Sequence, residues 1–298
     1  MNKLFVFWMK KKFIFTSIVF FTPLFLGARN NQNDSSKFAQ KFKWQVDAFF
    51  GQSIGKQKTL FGTEATRIDS TEYNSKALFG SYGAGLLYGI RFNCFITENI
   101  GFSFGLHHLQ GNIQSSAVLN DPIKNIYYKG TQAGNYTGIN ADIVFKTSGK
   151  GHIQLEARLG AVIVPWSTVY EKLNYFPPTS VLQTRENKTV NRLGKGFANS
   201  IGASYKLSKH FSIGLDIRST LLNATGETRT LTKYTINGVD KLEDENLYSK
   251  KINYVDAINS TSNVDTNPGY SVKKPHDALA PVFSFSSFVG FIKVTVIF

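Results

Sequence analysis

Phe288-Val289-Gly290-Phe291-Ile292-Lys293-Val294-Thr295-Val296-Ile297-Phe298 is the stretch that decides the fold. Phe298, Val296, Val294, Ile292 and Phe288 form an apolar row interrupted only by Gly290; Lys293 and Thr295 lie opposite, beside Phe291 and Ile297. A strand alternates faces with a period of two. An aromatic end on an apolar face would leave a soluble domain with a sticky edge. The pattern makes sense if that edge pairs with the first strand and the apolar face meets lipid, where an unpaired sheet edge cannot survive.

Working outward, the same alternation recurs in seven earlier segments: residues 43–51, 79–95, 100–108, 136–146, 152–164, 197–207 and 211–219, with the last strand at 282–298. Segment 152–164 is the most telling. Ile153, Leu155, Ala157, Leu159, Ala161 and Ile163 share one face; His152, Gln154, Glu156, Arg158 and Gly160 share the other. Gln, Glu and Arg cannot sit unpaired in a dry core, and the apolar face is as long as a tilted strand needs to cross a bilayer.

Connections alternate. Residues 97–99, 147–151 and 208–210 are short turns, whereas 52–76, 109–135, 165–196 and 221–280 are long and polar. The expectation is an all-β, eight-stranded antiparallel up-and-down transmembrane β-barrel with four long extracellular loops and short periplasmic turns. An even strand count brings both ends of the barrel to the periplasmic side. Asn237-Gly238 marks a hairpin turn inside the last loop. It either prolongs strands beyond the membrane or raises the count to ten.

Composition fits. The chain has 298 residues, 14% aromatic, with 26 Phe, 13 Tyr and 25 Gly, residues that favour strands and tight turns. Residues 9–28 read as a secretory signal peptide: Lys10-Lys11-Lys12, an apolar run over 13–26, then Gly27-Ala28. Cleavage is expected after Ala28, or after Gly27, and the natural start is Met1 or Met9. Residues 1–28 are thus the leader, 29–42 a short disordered periplasmic lead-in, and 43–298 the barrel domain. The net charge of +14 is scattered, without the clustered basic stripe of a nucleic-acid binder. Anionic lipid headgroups are the better use of excess base. Cys94 is the single cysteine, which excludes an intramolecular disulfide and a cysteine-based zinc site.

The inward polar set is Asp47, Arg91, His107, Asn140, Asp142, His152, Gln154, Glu156, Arg158, Lys206, Asp216, Arg218 and Lys293. Both signs occur, and the lumen of an eight-stranded barrel is just wide enough for side chains to fill. The expected lumen network is Asp47, Arg91, Asn140, Asp142, Gln154, Glu156, Arg158, Asp216, Arg218 and Lys293, with Arg91, Arg158 and Arg218 satisfied by Asp142, Glu156 and Asp216. The many inward glycines leave a narrow conduit open as an alternative. His107 and His108 face opposite ways and cannot share one ligand set. His152 shares a face with Gln154 and Glu156, but it follows a short turn, at the wrong end for an outer-rim catalytic site. No catalytic group, cofactor motif or metal site is expected. Aromatic belts are expected at Trp44, Phe92, Phe102, Phe145, Tyr205, Phe211 and Phe298 on the periplasmic side, and at Phe50, Tyr82, Tyr136, Trp166 and Phe197 on the outer side.

With its leader, its Leu207-Ser208-Lys209-His210-Phe211-Ser212-Ile213-Gly214-Leu215 turn and its terminal aromatic, the chain resembles the small outer-membrane barrels of the OmpA transmembrane-domain, OmpX and OmpW kind, a porin-family group. The resemblance covers residues 43–298. It implies residence in the outer membrane of a Gram-negative cell envelope and contact with outer-membrane lipids and lipopolysaccharide. It also implies that the barrel-assembly machinery reads the last strand, a role that falls by position on Phe298, Val296, Val294 and Ile292. The functional expectation is a structural or surface-binding barrel whose long loops meet an external ligand or host surface. The alternatives are a narrow porin or carrier for small or hydrophobic solutes, and an outer-membrane hydrolase.

Overall fold

Alternating residues become strands throughout the computed structural model, which describes residues 43–56, 58–68, 73–147, 151–177 and 181–298. The expected leader and lead-in lie outside the described residues. In chain order the strands are β1 Lys43–Gly55, β2 Thr59–Arg67, β3 Tyr73–Gly80, β4 Gly85–Phe95, β5 Ile100–Gly111, β6 Gln114–Asp121, β7 Ile126–Lys146 and β8 Ile153–Phe176. They continue with β9 Gln183–Asn191, β10 Gly194–Lys206, β11 Phe211–Ile236, β12 Val239–Asp240, β13 Lys251–Val255, β14 His276–Leu279, β15 Val282–Ser284 and β16 Ser287–Ile297.

Eight of them close a ring of antiparallel neighbours: β1, β4, β5, β7, β8, β10, β11, β16 and back to β1. The fold is therefore an eight-stranded transmembrane barrel, and the Asn237-Gly238 hairpin does not raise the count to ten. Closure falls between the first and last strands, with Gln45 opposite Ile297. The Phe298 N–H then donates to the Trp44 carbonyl at 3.0 Å, so no backbone edge is left open in the wall.

Polarity is inverted relative to a soluble protein. Phe92, Phe102, Phe104, Leu106, Ile143, Leu159, Ile201, Leu215, Ile217 and Ile292 are exposed on the outer surface, whereas Asp47, Arg91, Asn93, Arg158, Asp216, Arg218 and Lys293 are buried inside. An apolar belt of this kind is stable against lipid and unstable against water. The short turns share one device. Thr97 Oγ1 accepts from the Ile100 N–H at 2.9 Å, and Ser208 Oγ accepts from the Phe211 N–H at 3.1 Å, so a hydroxyl residue opening each turn satisfies the strand that follows.

The long connections differ from the expectation. They are not structureless, because β2, half of β3, β6, β9 and β12 to β14 lie within them. β7, β8 and β11 run for 21, 24 and 26 residues, well past the ~9–11 that a tilted crossing strand needs. They carry the same sheet on beyond the belt. β9 bridges β8 and β11, and β6 joins β7 to β2, which pairs β3. Asn237 (φ 50°) and Gly238 (φ 81°) turn β11 into β12, the left-handed pair that a two-residue hairpin demands.

Two strand boundaries also shift. The expected strand 79–95 is two pieces, since residues 81–84 break away from the sheet between β3 and β4; the expected strand 282–298 is interrupted at Phe285-Ser286. The register of β8 against β7 slips where Thr137 faces Trp166 but Ile139 faces Ile163. That bulge holds Pro165, which has no N–H to lose. Below it Val162 and Val164 point inward; above it Ser167 and Val169 do.

Candidate functional site

The lumen is built from inward positions of the wall strands. Six of them form a closed ring of alternating charge. Asp47 meets Arg158 (3.1 Å), Arg158 meets Glu156 (2.5 Å), and Glu156 meets Lys293 (2.9 Å). Lys293 meets Asp216 (2.9 Å), Asp216 meets Arg91 (3.2 Å), and Arg91 returns to Asp47 (3.4 Å). Three acids and three bases cancel. A single ion here would cost several kcal/mol to desolvate, a cost that a fully paired set offsets. Polar neighbours complete the shell: Arg158 Nη1 donates to Asn93 Oδ1 at 2.7 Å, and Thr295 Oγ1 donates to Asp47 Oδ1 at 2.8 Å. The ring ties β1, β4, β8, β11 and β16 together across sequence separations above 100 residues.

Inward glycines make room for these side chains. A Cβ on Gly202 would lie 1.9 Å from Asp216 Oδ1, and one on Gly105 would lie 2.5 Å from Asn140 Oδ1 and 2.8 Å from Arg91 Cγ. Their missing volume is occupied by neighbouring strands' long side chains.

The remaining expected members divide. Asn140 Nδ2 donates to Asp142 Oδ2, outside the ring. Arg218 is buried and forms no ion pair among the described residues; its Nη2 has no hydrogen-bond partner there. The expected matching of Arg218 to Asp142, Glu156 or Asp216 is thus not made at bonding distance, because Lys293 and Arg91 already hold Asp216, and Lys293 and Arg158 hold Glu156. Gln154 lies half-buried toward the short-turn end, opposite Ser204. Sequence reading left Asn93 and Thr295 out of the network, although both sit at inward positions of recognised strands.

Above and below the ring, aromatic and aliphatic side chains share the lumen with buried polar ones such as Ser103, His107, Asn140, Ser204 and Ser212. The Arg91 guanidinium lies over both the Phe49 and Phe291 rings, 4.8 and 5.1 Å from their centroids, and the two rings pack against each other at 5.1 Å. Further toward the long-loop end an aromatic column continues. His107 meets Tyr136 (5.6 Å), Tyr136 meets Phe285 (5.4 Å), Phe285 meets Tyr82 (6.0 Å) and Tyr82 meets Phe61 (4.9 Å). Phe285, Leu109 and Val164 are 0% exposed, so this layer is closely packed. At the opposite end Phe95 and Val144 are buried, and Lys146 Nζ sits 3.6 Å above the Phe95 ring.

Tyr82 and Tyr136 are therefore not outer-belt residues. Tyr82 belongs to the segment that leaves the sheet before β4, and its hydroxyl donates to Gln132 Oε1 at 2.8 Å. Tyr136 shares parity with the inward Gly138 and Asn140. Phe50, Trp166 and Phe197 do face outward. His107 lies inside, while His108 lies on the other face, 2.9 Å from Thr137 Oγ1. His152 is exposed and stacks on Tyr205, whereas the Glu156 carboxylate is held in the charge ring. The two do not form a base and its orienting carboxylate. Among the described residues no His, Cys, Asp and Glu cluster is arranged to hold a metal.

The assembly-strand residues Ile292, Val294 and Phe298 are exposed on the outer face and Val296 is partly so. Beyond the belt, Glu171 holds Arg229 (2.8 Å) and Asn187 (3.1 Å), and Arg192 binds Asp256 (2.7 Å). Burial raises the Tyr254 phenol above its ordinary value, against the opposing charge of Arg229, so it stays a neutral hydrogen-bonding group at physiological pH.

No known family's sequence profile matches this chain, and no curated protein matches it. Two solved structures similar to it are Neisserial surface protein A and Ail, the attachment invasion locus protein of Yersinia pestis. Each is 10% identical, covers 86% of this chain and 96% or 98% of its own, and superposes with a TM-score of 0.31. A likeness that faint carries no argument, and the eight-stranded architecture stands on this chain's own strand pairing.

Proposed function

We propose that this chain is an outer-membrane barrel with a closed lumen, whose rigid extension beyond the belt is a surface-binding platform. In this reading the long-loop end faces outward, the short turns and both barrel ends face the periplasm, and the apolar belt meets lipid and lipopolysaccharide acyl chains. What supports it is the closed charge ring together with the buried aromatic column inside the barrel. A conduit needs gaps, and the inward glycines that suggested them are filled by Asp216, Arg91 and Asn140. The extension supports the binding half, since loops and strands on a rigid scaffold are where recognition residues concentrate.

Planar-bilayer recording tests the closed lumen. The purified barrel is expected to give no reproducible channels, and Phe285→Ala, at a cost of about 3–5 kcal/mol in stability, to give small openings. Reproducible conductance of the unaltered protein would defeat the reading. The assembly role of Phe298, Val296, Val294 and Ile292 has its own measurement. Deleting Phe298 removes the N–H that bonds Trp44 and is expected to lower the amount of heat-modifiable barrel in the outer membrane. Normal assembly of that truncation would contradict it.

A further inference from the structure

The extension contains a cleft of about 150 Å³. It lies where β8, β9 and β11 present one face and the helical turn Leu247–Lys250 and β13 fold beside it. Its apolar lining is Leu173, Leu231 and Ile252; its polar lining is Arg185, Asn187, Arg229, Ser249 and Lys250. The three charged groups that line it are all cations. Each is paired with an acid that does not line the cleft: Glu171 holds Arg229 at 2.8 Å, Glu245 holds Arg185 at 3.3 Å and Glu243 meets Lys250 at 3.5 Å. Arg185 also lies over the Tyr234 ring at 4.5 Å. Each guanidinium is thus anchored in place, and with five N–H donors it retains donors for a second acceptor.

We propose that this cleft binds one acidic sugar residue, its carboxylate on Arg185 and Arg229 and its ring against Leu173, Leu231 and Ile252. A planar guanidinium fork suits a carboxylate. The Asn187 carbonyl and the Ser249 hydroxyl supply partners for ring hydroxyls. A bare phosphate would leave the apolar floor unused, an acyl chain would leave the amide and hydroxyl unused, and the space suits one six-membered ring rather than a long segment. The inference rests on the extension being the outward-facing platform. An acidic sugar reaches that face from the cell's own lipopolysaccharide or from a foreign surface glycan.

The test is calorimetric titration of the full chain in detergent micelles with methyl β-D-glucuronide, and with methyl β-D-glucoside as the neutral counterpart. The expected result is saturable glucuronide binding, at least tenfold weaker glucoside binding, and a tenfold or greater loss for glucuronide in Arg229→Gln and in Arg185→Gln. Arg185 is a surface side chain, so its variant keeps the fold; retained heat-modifiability on a gel verifies this for both. Equal affinity for the two glycosides, no binding to either, or tighter binding of a glutamate-containing tripeptide would overturn the proposal. A 3-deoxy-octulosonate glycoside and sialyl-lactose distinguish the sources, and preference for either supports the site. Impermeant maleimide labelling of Ser249→Cys on intact cells, in a Cys94→Ser background, separates the two readings. Sugar binding in micelles without labelling on cells counts against the outward orientation and leaves the cleft standing.

Discussion

β7, β8 and β11 each pass through two environments, and the same strand obeys opposite rules in each. Below the Pro165 bulge, β8 exposes Ile153, Leu155, Leu159 and Ile163 on its outer face, and it sends Glu156 and Arg158 into the charge ring. Above the bulge the outward positions are Trp166, Tyr170 and Lys172, and the inner face mixes Val169 with Glu171 and Leu173. Charge is cheap on the outside of the extension and prohibited on the outside of the belt. Inside the belt six charges close into one paired set, while Arg218 is buried outside it. The difference lies in the solvent: water can satisfy any group it reaches, while lipid satisfies none.

Breaking the charge ring is expected to have the largest effect. Asp216→Asn leaves Arg91 and Lys293 buried without their shared acid, and about 3–5 kcal/mol of stability should be lost, read from urea unfolding in micelles. Glu171→Gln breaks an ion pair of the same chemistry in the extension, where water screens it, and should cost no more than about 1 kcal/mol. Equal losses would mean that the two regions do not differ in dielectric as argued. The outward face offers a second contrast on one strand. Leu159→Arg should cost about 2–4 kcal/mol in a bilayer, while Tyr170→Arg should stay within about 0.5 kcal/mol. A large penalty at Tyr170 would place the lipid boundary higher than the bulge. The smallest effect is local. Gly238→Ala forces a side chain into a φ of 81° and should cost about 1 kcal/mol. The loss should appear as faster hydrogen exchange at the tip of β11 with the belt unchanged.

The belt was legible because one of its faces must be wholly apolar. That requirement wrote a period-two pattern into Ile153 to Ile163 and into Ile292 to Phe298, and it marked Asp47, Arg91, Glu156, Arg158, Asp216 and Lys293 as inward. The extension was not legible as strands. In a run such as Gln183-Thr184-Arg185-Glu186-Asn187-Lys188 both faces are wet enough to carry polar residues, so alternation fades although the backbone pairs with both neighbouring strands. Asn237-Gly238 was the exception, because a left-handed turn demands those residue types whatever surrounds it.

By itself, then, the sequence determined closure, the sidedness of the belt faces and which charges share the lumen, since each follows from parity and chain order; it left the choice of eight or ten strands open. Only the tertiary structure decided which acid meets which base. Partners such as Lys293 and Glu156 lie 137 residues apart, and their meeting depends on register and on the space that Gly202 and Gly105 leave. It also decided that Tyr82 and Phe285 are buried against each other and that Arg185 and Arg229 converge on one cleft. Those placements come from a break before β4, an interruption before β16 and a bulge at Pro165, irregularities that shift which way a side chain points without leaving a periodic signal.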